Sequence, residues 1–506
     1  MSRWDFYAFC LLVAVCILQL FSWFDFPSFL DGYYHLSVTR GFNEAGGWVG
    51  ISFWEAAPYG RPHLYPPIFH LFELFLFKAG LGLITIARIS EFIIYPLFLY
   101  TCWRSVRSLF SQGLALFFLL LLVSSYPLYL SIINNIPFSI SLIFIILAFY
   151  SFEKNKSLAA LLLLGLSFYS HPLICWIGWV AFLFYAVFNE QNRRGGLLVC
   201  FFSLVCAVPM VNHELKYMNF VHFQRVLEFY YFEINCIIYG LALPGIFYAF
   251  KKKGRNIFFL SLMISMSVLF FTNRDRFLSG QGILPLSFFA ALTLNEARIY
   301  LKTKIKYSDA ILIFAAIFFL FIITPKVTYN SKMALPKLTV NSWLYESLNK
   351  EKGFHRDKAV SFYNARFIDP LVSLVKQYSL EGEIVFSNYS YGGAMVALLA
   401  DRPTSTSMLG EVLPFVQGDP LSAAKVILWF KEPDGSISKA IDTIIDTYNL
   451  KKAAETEIAL LYINGNSKEK AIKIRAAVPF IWCFALILGV LTAILIGDRA
   501  MKKKLT

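Results

Sequence analysis

Charge is scarce in this chain. Only 15% of its 506 residues are Asp, Glu, Lys or Arg, against 58% hydrophobic and 18% aromatic, and the mean hydropathy is +0.59. Such a balance excludes an ordinary soluble protein and points to a polytopic membrane protein. Paired cysteines are lacking as well. Cys10, Cys16, Cys102, Cys175, Cys200, Cys206, Cys236 and Cys483 all lie in or beside apolar runs, and residues 325–475 have none. Neither a disulfide framework nor a cysteine zinc site is indicated. No small-residue cleavage site follows the first apolar run, so residues 4–25 read as a retained anchor. Acids are outnumbered by bases, 32 to 46, for a net charge of +14. The basic residues sit in short clusters between apolar runs, which is the positive-inside pattern and removes nucleic acid as a partner.

Those clusters set the sidedness. Arg3 starts inside and residues 4–25 go out. Residues 83–103 return to Arg104 and Arg107, 138–152 to Lys154 and Lys156, and 174–188 to Arg193 and Arg194. Residues 234–250 return to Lys251–Arg255, 281–297 to Arg298–Lys306, and 476–497 to Arg499 and Lys502–Lys504. The runs 114–132, 157–171, 195–211, 257–272 and 309–324 go outward, giving about 12 crossings by length. Both termini are then cytoplasmic, in the cell membrane of the host. The loop 26–82 is outside. Within it Ile68–Leu76 is apolar but short and carries Glu73 and Lys78 close by, as in an interfacial or re-entrant helix.

Residues 325–475 have the composition of a soluble domain. Asp369–Tyr378 and Ala394–Ala400 have helical patterning, and Ser422–Phe430 and Ile437–Tyr448 are helix candidates. Glu383–Ser387 and Ile458–Ile463 read as strands. An extracytoplasmic α/β module of this size can form its own core. The chain therefore divides into a bundle over 1–324, the α/β module over 325–475, and a last helix with a basic tail over 476–506.

The polar residues gather at the outer helix ends. Asp31-Gly32-Tyr33-Tyr34-His35 follows the first span, among Phe24, Phe26 and Phe29. Its acid either caps the next helix or works as a partly dry base or metal ligand. Arg61 and His63 lie in the same loop, and Arg274-Asp275-Arg276 ends a later span. Guanidinium groups there suit a phosphate leaving group, or form a local ion pair with Asp275. His171-Pro172 reads as a helix end, and Asn134-Asn135 as a turn that can hydrogen-bond or weakly ligate a metal. Glu228 and Glu233 can face the same space. Arg88 and Glu91, three apart on one helix, are expected to pair.

Asp31–Leu36 with Arg40, then Gly46-Gly47, Ala57–Gly60 and Tyr65–His70, resembles the first outer loop of oligosaccharyltransferase catalytic subunits, which are GT-C glycosyltransferases. The resemblance implies a GT-C-like bundle in which Asp31 is the catalytic, metal-binding aspartate and a divalent cation (Mn²⁺ or Mg²⁺) is the cofactor. Asn134, Asn135 and His171 would be further ligands. Arg276 would hold the phosphate of a lipid-linked donor, helped by Arg274, Arg61 and His63. Asn388–Gly392 falls where the family has its acceptor motif, making Ser390, Tyr391 and Gly392 acceptor-binding. Only Tyr391 and Gly392 of that motif remain. Asn134-Asn135 stands where the family has an acidic pair, and Phe29 where a second acid would precede Asp31.

The sequence thus reads as a polytopic α-helical membrane glycosyltransferase with an extracytoplasmic α/β domain. It would move a sugar from a polyprenyl-(di)phosphate donor to a protein, lipid or polysaccharide acceptor. A lipid-linked-saccharide flippase, expected to concentrate charge at mid-membrane, and an inactive scaffold relative are the rival readings.

Overall fold

The computed structural model describes residues 2–27, 31–221, 231–272, 274–330, 335–340, 363–408 and 412–505. The bundle is built from α1 (Arg3–Phe21), α4 (Leu83–Leu109), α5 (Gln112–Ser124), α6 (Tyr126–Asn134), α7 (Ile136–Glu153), α8 (Ser157–Phe168), α9 (Ile174–Phe188), α10 (Arg193–Tyr217), α11 (Cys236–Lys252), α12 (Asn256–Met266), α13 (Leu269–Thr272), α14 (Arg274–Leu278), α15 (Ile283–Lys302) and α16 (Ser308–Ile317). Between the first two of these lie α2 (Asp31–Ala45) and α3 (Ile68–Lys78), both in the outer loop.

Local chemistry explains where the bundle helices break. Ser125 caps α6 through a bond from the Leu128 N–H (3.4 Å) and Asn135 caps α7 through one from Phe138 (3.3 Å). Each is followed by a proline in the first turn of the new helix, where its missing N–H costs nothing. α5 and α6 consequently meet at 79°. Five described helices are long and apolar enough to cross a membrane alone: α1, α4, α7, α10 with its short extension, and α14–α15. The bent α5–α6 pair makes a sixth. Length alone does not reach the expected count of crossings, because several apolar helices are short. The 12 residues of α8 reach only about 18 Å.

Aromatic packing holds the bundle centre. Phe149 stacks on Phe258 at 3.9 Å and Phe259 on Phe288 at 3.6 Å, nearly parallel in both cases. At one end the basic clusters converge. Arg107 holds Asp5 (2.7 Å for the Nη2 bond), Arg3 pairs with Asp309, and Arg298 lies 4.8 Å over Trp4. Arg255 bridges Glu153 and the carbonyl of Leu109. Segments that the basic clusters assign to one side of the membrane do meet at one end.

At the opposite end the outer loop is threaded into the α/β module. The module's sheet runs β7 (Val385–Ser387), β8 (Val426–Phe430), β10 (Ala459–Asn464) and β9 (Leu450–Glu455), with β7 parallel to β8 and the others antiparallel. Helices Ala365–Tyr378, Ser390–Leu399 and Ala440–Tyr448 accompany it. The helix expected over Ser422–Phe430 is instead mainly strand β8. All five residues of Val-Ile-Leu-Trp-Phe are buried, and a short, wholly apolar run of β formers suits a central strand. Residues 325–340 do not join that sheet. Their strand β5 (Pro325–Asn330) pairs with β4 (Tyr231–Asn235) from the bundle on one edge and with β6 (Lys337–Val340) on the other, and Glu233 forms a buried 2.8 Å pair with Lys326. Glu228 lies outside the described residues.

Backbone bonds sew loop to module: Thr404 N–H to Trp54, Ala57 N–H to Thr404, Phe415 N–H to Gly60 and Ile472 N–H to Pro58. β1 (Gly47–Trp48) pairs with β11 (Val478–Pro479), and β2 (Ile51–Ser52) with β3 (Arg61–Pro62). At the seam, Arg61 is 1% exposed and Glu55 0%, and the two are joined at 2.8 Å. Glu55 also accepts from Ser52 and from the Met408 N–H. Glu55→Ala leaves a buried guanidinium without its counter-ion. A cost of about 3–5 kcal/mol is expected, measurable as a lower unfolding temperature and faster proteolysis of the seam in the detergent-solubilised protein.

Candidate functional site

Asp31 opens α2, where a carboxylate meets the unpaired N–H groups of the first turn. It is half-buried, whereas the helix behind it is covered on nearly all sides. Packing against α3, α4 and the Ser390–Leu399 helix explains why residues of so polar a helix are inside. The face carrying Tyr34 and His35 enters a cluster of four further histidines. The Tyr34 hydroxyl bonds His63 Nδ1 (2.9 Å), and His35 Nδ1 bonds His70 Nε2 (2.9 Å). His213 Nε2–H donates to the His63 carbonyl at 2.7 Å. Gly50 lets that ring in, since a β-carbon there would lie 2.7 Å from it.

Burial keeps these rings neutral. His35 and His63 are driven well below the ordinary histidine range by desolvation and by their neighbours' charges, and His70 titrates at about 3. Desolvation raises Glu73, on α3 beside them, to about 8, and Thr39 donates to it at 2.7 Å. These are buried groups held in their uncharged forms.

Tyr65 continues the cluster towards the later outer turns. Its ring lies 5.6 Å from Tyr34, 5.2 Å from His35 and 5.7 Å from His171. His171 Nδ1 accepts the N–H groups of Leu173 and Ile174 and so caps α9, leaving its proton on Nε2. Burial, with the nearby positive charge of Arg276 second, lowers His171 to about 3. Asp31 in turn acts electrostatically on Tyr34. The charges of Asp31 and Arg276 thus both act on members of one aromatic–histidine cluster. Arg276 and Arg274 are half-buried on α14, Arg274 lying over Phe270 at 5.4 Å. A β-carbon on Gly280, in the turn after α14, would sit 2.7 Å from Ser131 of α6, so this turn packs on α6.

Other expected residues fall elsewhere. Arg61 is committed to Glu55, with Tyr34's ring 5.4 Å from its guanidinium. A buried, paired guanidinium supports the loop rather than meeting a phosphate. His63 is fully buried within the cluster. Ser390, Tyr391 and Gly392 open a helix that packs on α2. Gly392 is small because a β-carbon would meet Tyr389 at 2.9 Å and Phe430 at 3.0 Å. Asn388 before them is spent on both backbone groups of Phe430. The residues do not fit a divalent cation. Among the described residues no three His, Cys, Asp or Glu side chains converge as ligands. Asn135 caps α7, and the Nδ1 lone pair of His171 is occupied.

Glu91, expected beside Arg88 on α4, is 2% exposed, with Oε1 3.8 Å from where a side chain on Gly32 would begin. Arg88 donates Nε–H to the Phe26 carbonyl at 2.9 Å.

No protein-family model and no curated protein matches the chain. Solved structures do. ArnT from Cupriavidus metallidurans, bound to undecaprenyl phosphate, aligns at a TM-score of 0.52 and 13% identity, covering 93% of this chain and 100% of that one. Archaeal oligosaccharyltransferase AglB from Archaeoglobus fulgidus, in complex with an inhibitory peptide and a dolichol-phosphate, aligns at 0.53 and 12%, covering 85% and 70%. The Archaeoglobus fulgidus oligosaccharyltransferase tethered with an acceptor peptide containing the NVT sequon gives 0.52 at 12%, with the same coverage. The chain thus shares the fold of these structures.

Glu73 gives the site a pH signature. Its folded pKa of about 8 lies above the unfolded value, so the folded state holds the extra proton between the two. The contribution is full at low pH and is lost as pH rises through about 8, at no more than about 1.4 kcal/mol per pH unit. Unfolding temperature measured from pH 5 to 8.5 should fall more for wild type than for Glu73→Gln.

Proposed function

We propose that this protein is an integral-membrane glycosyltransferase that moves a sugar from a polyprenyl-phosphate or -diphosphate carrier to an acceptor on the extracytoplasmic face. The observation that carries the reading is that Asp31 acts electrostatically on Tyr34 and Arg276 on His171, both members of one buried aromatic–histidine cluster. Proteins of the same fold are seen with undecaprenyl phosphate and dolichol-phosphate, which supports a donor of that class. In this reading both termini are cytoplasmic, in the cell membrane, and the α/β module is outside.

The chemistry follows from the charges. The acceptor's nucleophilic atom attacks the anomeric carbon of the sugar as its proton passes to the Asp31 carboxylate. The bond from that carbon to the phosphate oxygen breaks, and its electron pair leaves with the phosphate. Arg276, with Arg274 and the neutral Nε2–H of His171, stabilises that developing charge. Ser390, Tyr391 and Gly392, on the helix against α2, contact the acceptor. An apolar groove of about 720 Å³, lined by Trp48, Ile68, Tyr169, Met210 and Trp482 among others, is suited to a prenyl chain. Its lining residues Ile68 and Tyr169 each stand two positions from a histidine of the cluster, His70 and His171.

Reconstituted protein should transfer label from a lipid-linked sugar, and Asp31→Asn should lower kcat by about 10²–10⁴-fold, the scale of a lost general base. Indifference to this change would favour the flippase or the inactive scaffold. Arg276→Gln should weaken binding of undecaprenyl phosphate itself and lower kcat, while Arg61→Gln should act only through stability.

A further inference from the structure

The end of the bundle where the basic clusters meet opens onto a groove that the proposed reaction does not use. Helices α1, α5 and α16 border an apolar cleft of about 680 Å³, lined by Tyr7, Leu18, Leu116, Ala310, Phe314 and Phe321 among others. From Tyr7 to Leu18 the helix rises roughly 16 Å. That is about half of a roughly 30 Å hydrocarbon core, the depth of one leaflet.

Each wall of the groove ends about one turn from a side chain of the charged end. On α1, Tyr7 stands four positions after Arg3 and three after Trp4; on α16, Ile313 stands four after Asp309. Such spacings put side chains on one helix face. On α5, Leu116 stands three after Gly113, where a β-carbon would run into the Arg298 guanidinium. Arg298 comes from α15, lies 4.8 Å over Trp4, and is acted on by the charges of Asp309, Arg3 and Glu296. Four helices thus meet at the head of the groove.

The charges there are unequally engaged. Arg3 pairs with Asp309 and Arg107 with Asp5, and Glu296 is hydrogen-bonded to Tyr248 of α11. Arg298 is half-buried and forms no ion pair among the described residues. Its Nε–H has no hydrogen-bond partner there, and neither has Oδ1 of Asp309. A guanidinium in that state suits an anion, and a carboxylate oxygen beside it suits a hydroxyl donor. Basic pockets between helices at a membrane surface bind anionic head groups in this way. We propose that the groove holds an acyl chain of an anionic glycerophospholipid, with its phosphate on Arg298 and a headgroup hydroxyl on Asp309. A zwitterionic lipid brings a second cation that Arg298 repels. The site needs the membrane bundle and is independent of the transferase reading.

The test is equilibrium binding of three probes to the whole chain in detergent, read by native mass spectrometry. The probes are phosphatidylglycerol, phosphatidylcholine with the same acyl chains, and undecaprenyl phosphate. Phosphatidylglycerol should bind about fivefold or more tighter than phosphatidylcholine, the scale of one cation beside an anionic lipid. Arg298→Gln should remove that difference and leave phosphatidylcholine within about twofold of wild type, whereas Arg298→Lys should keep most of it. Ala14→Trp, an exposed position on the groove wall, should weaken both glycerophospholipids alike. Equal binding of the two by wild type, or a preference that survives Arg298→Gln, overturns the site. Phosphatidylglycerol binding that ignores Ala14→Trp, which spares the charged end, overturns it as well. Undecaprenyl phosphate that outcompetes phosphatidylglycerol and depends on Arg298 would replace the glycerophospholipid by a prenyl phosphate.

Discussion

The ion pair between Glu55 and Arg61 is the constraint on which the outer half of the molecule depends. Two charges with essentially no exposure must satisfy each other, and Glu55 also takes the Met408 N–H from the α/β module. A buried pair of this kind contributes little net stability relative to apolar packing, yet separating its members is very costly. The loop therefore has one low-energy arrangement against the module. Within it, α2 is fixed between α3, α4 and the Ser390–Leu399 helix, and Asp31 is fixed with it.

That arrangement brings neutral rings near guanidinium charge. Tyr34, His35, Tyr65 and the buried histidines lead to His171, on which Arg276 acts electrostatically. Desolvation sharpens that field, because it acts through a dry interior.

Much of the fold was legible in the chain. The convergence of Asp5, Arg107, Glu153, Arg255 and Arg298 matches the clustering of charge between apolar runs in the chain. α2, the short α3 and the turn at Asn135 also stand out, because prolines, caps and hydrophobic length are local signals. β8 was misread because a short apolar run has no period to distinguish strand from helix. The bond from Arg88 to the Phe26 carbonyl was not legible for a related reason: spacing on a helix shows which side chains can meet, not which carbonyl a neighbouring segment offers.

The sequence by itself determined an apolar helical bundle, an acid just after the first apolar run and a more polar α/β module near the C-terminus. Each of these is written in composition or in residues close together along the chain. Only the tertiary structure decided that Arg61 is a buried strut, that Asn135 and His171 are helix caps, and that Glu91 shares the neighbourhood of Asp31. Those outcomes depend on which segments desolvate one another. Desolvation is a property of three-dimensional packing, so no local pattern of residues encodes it.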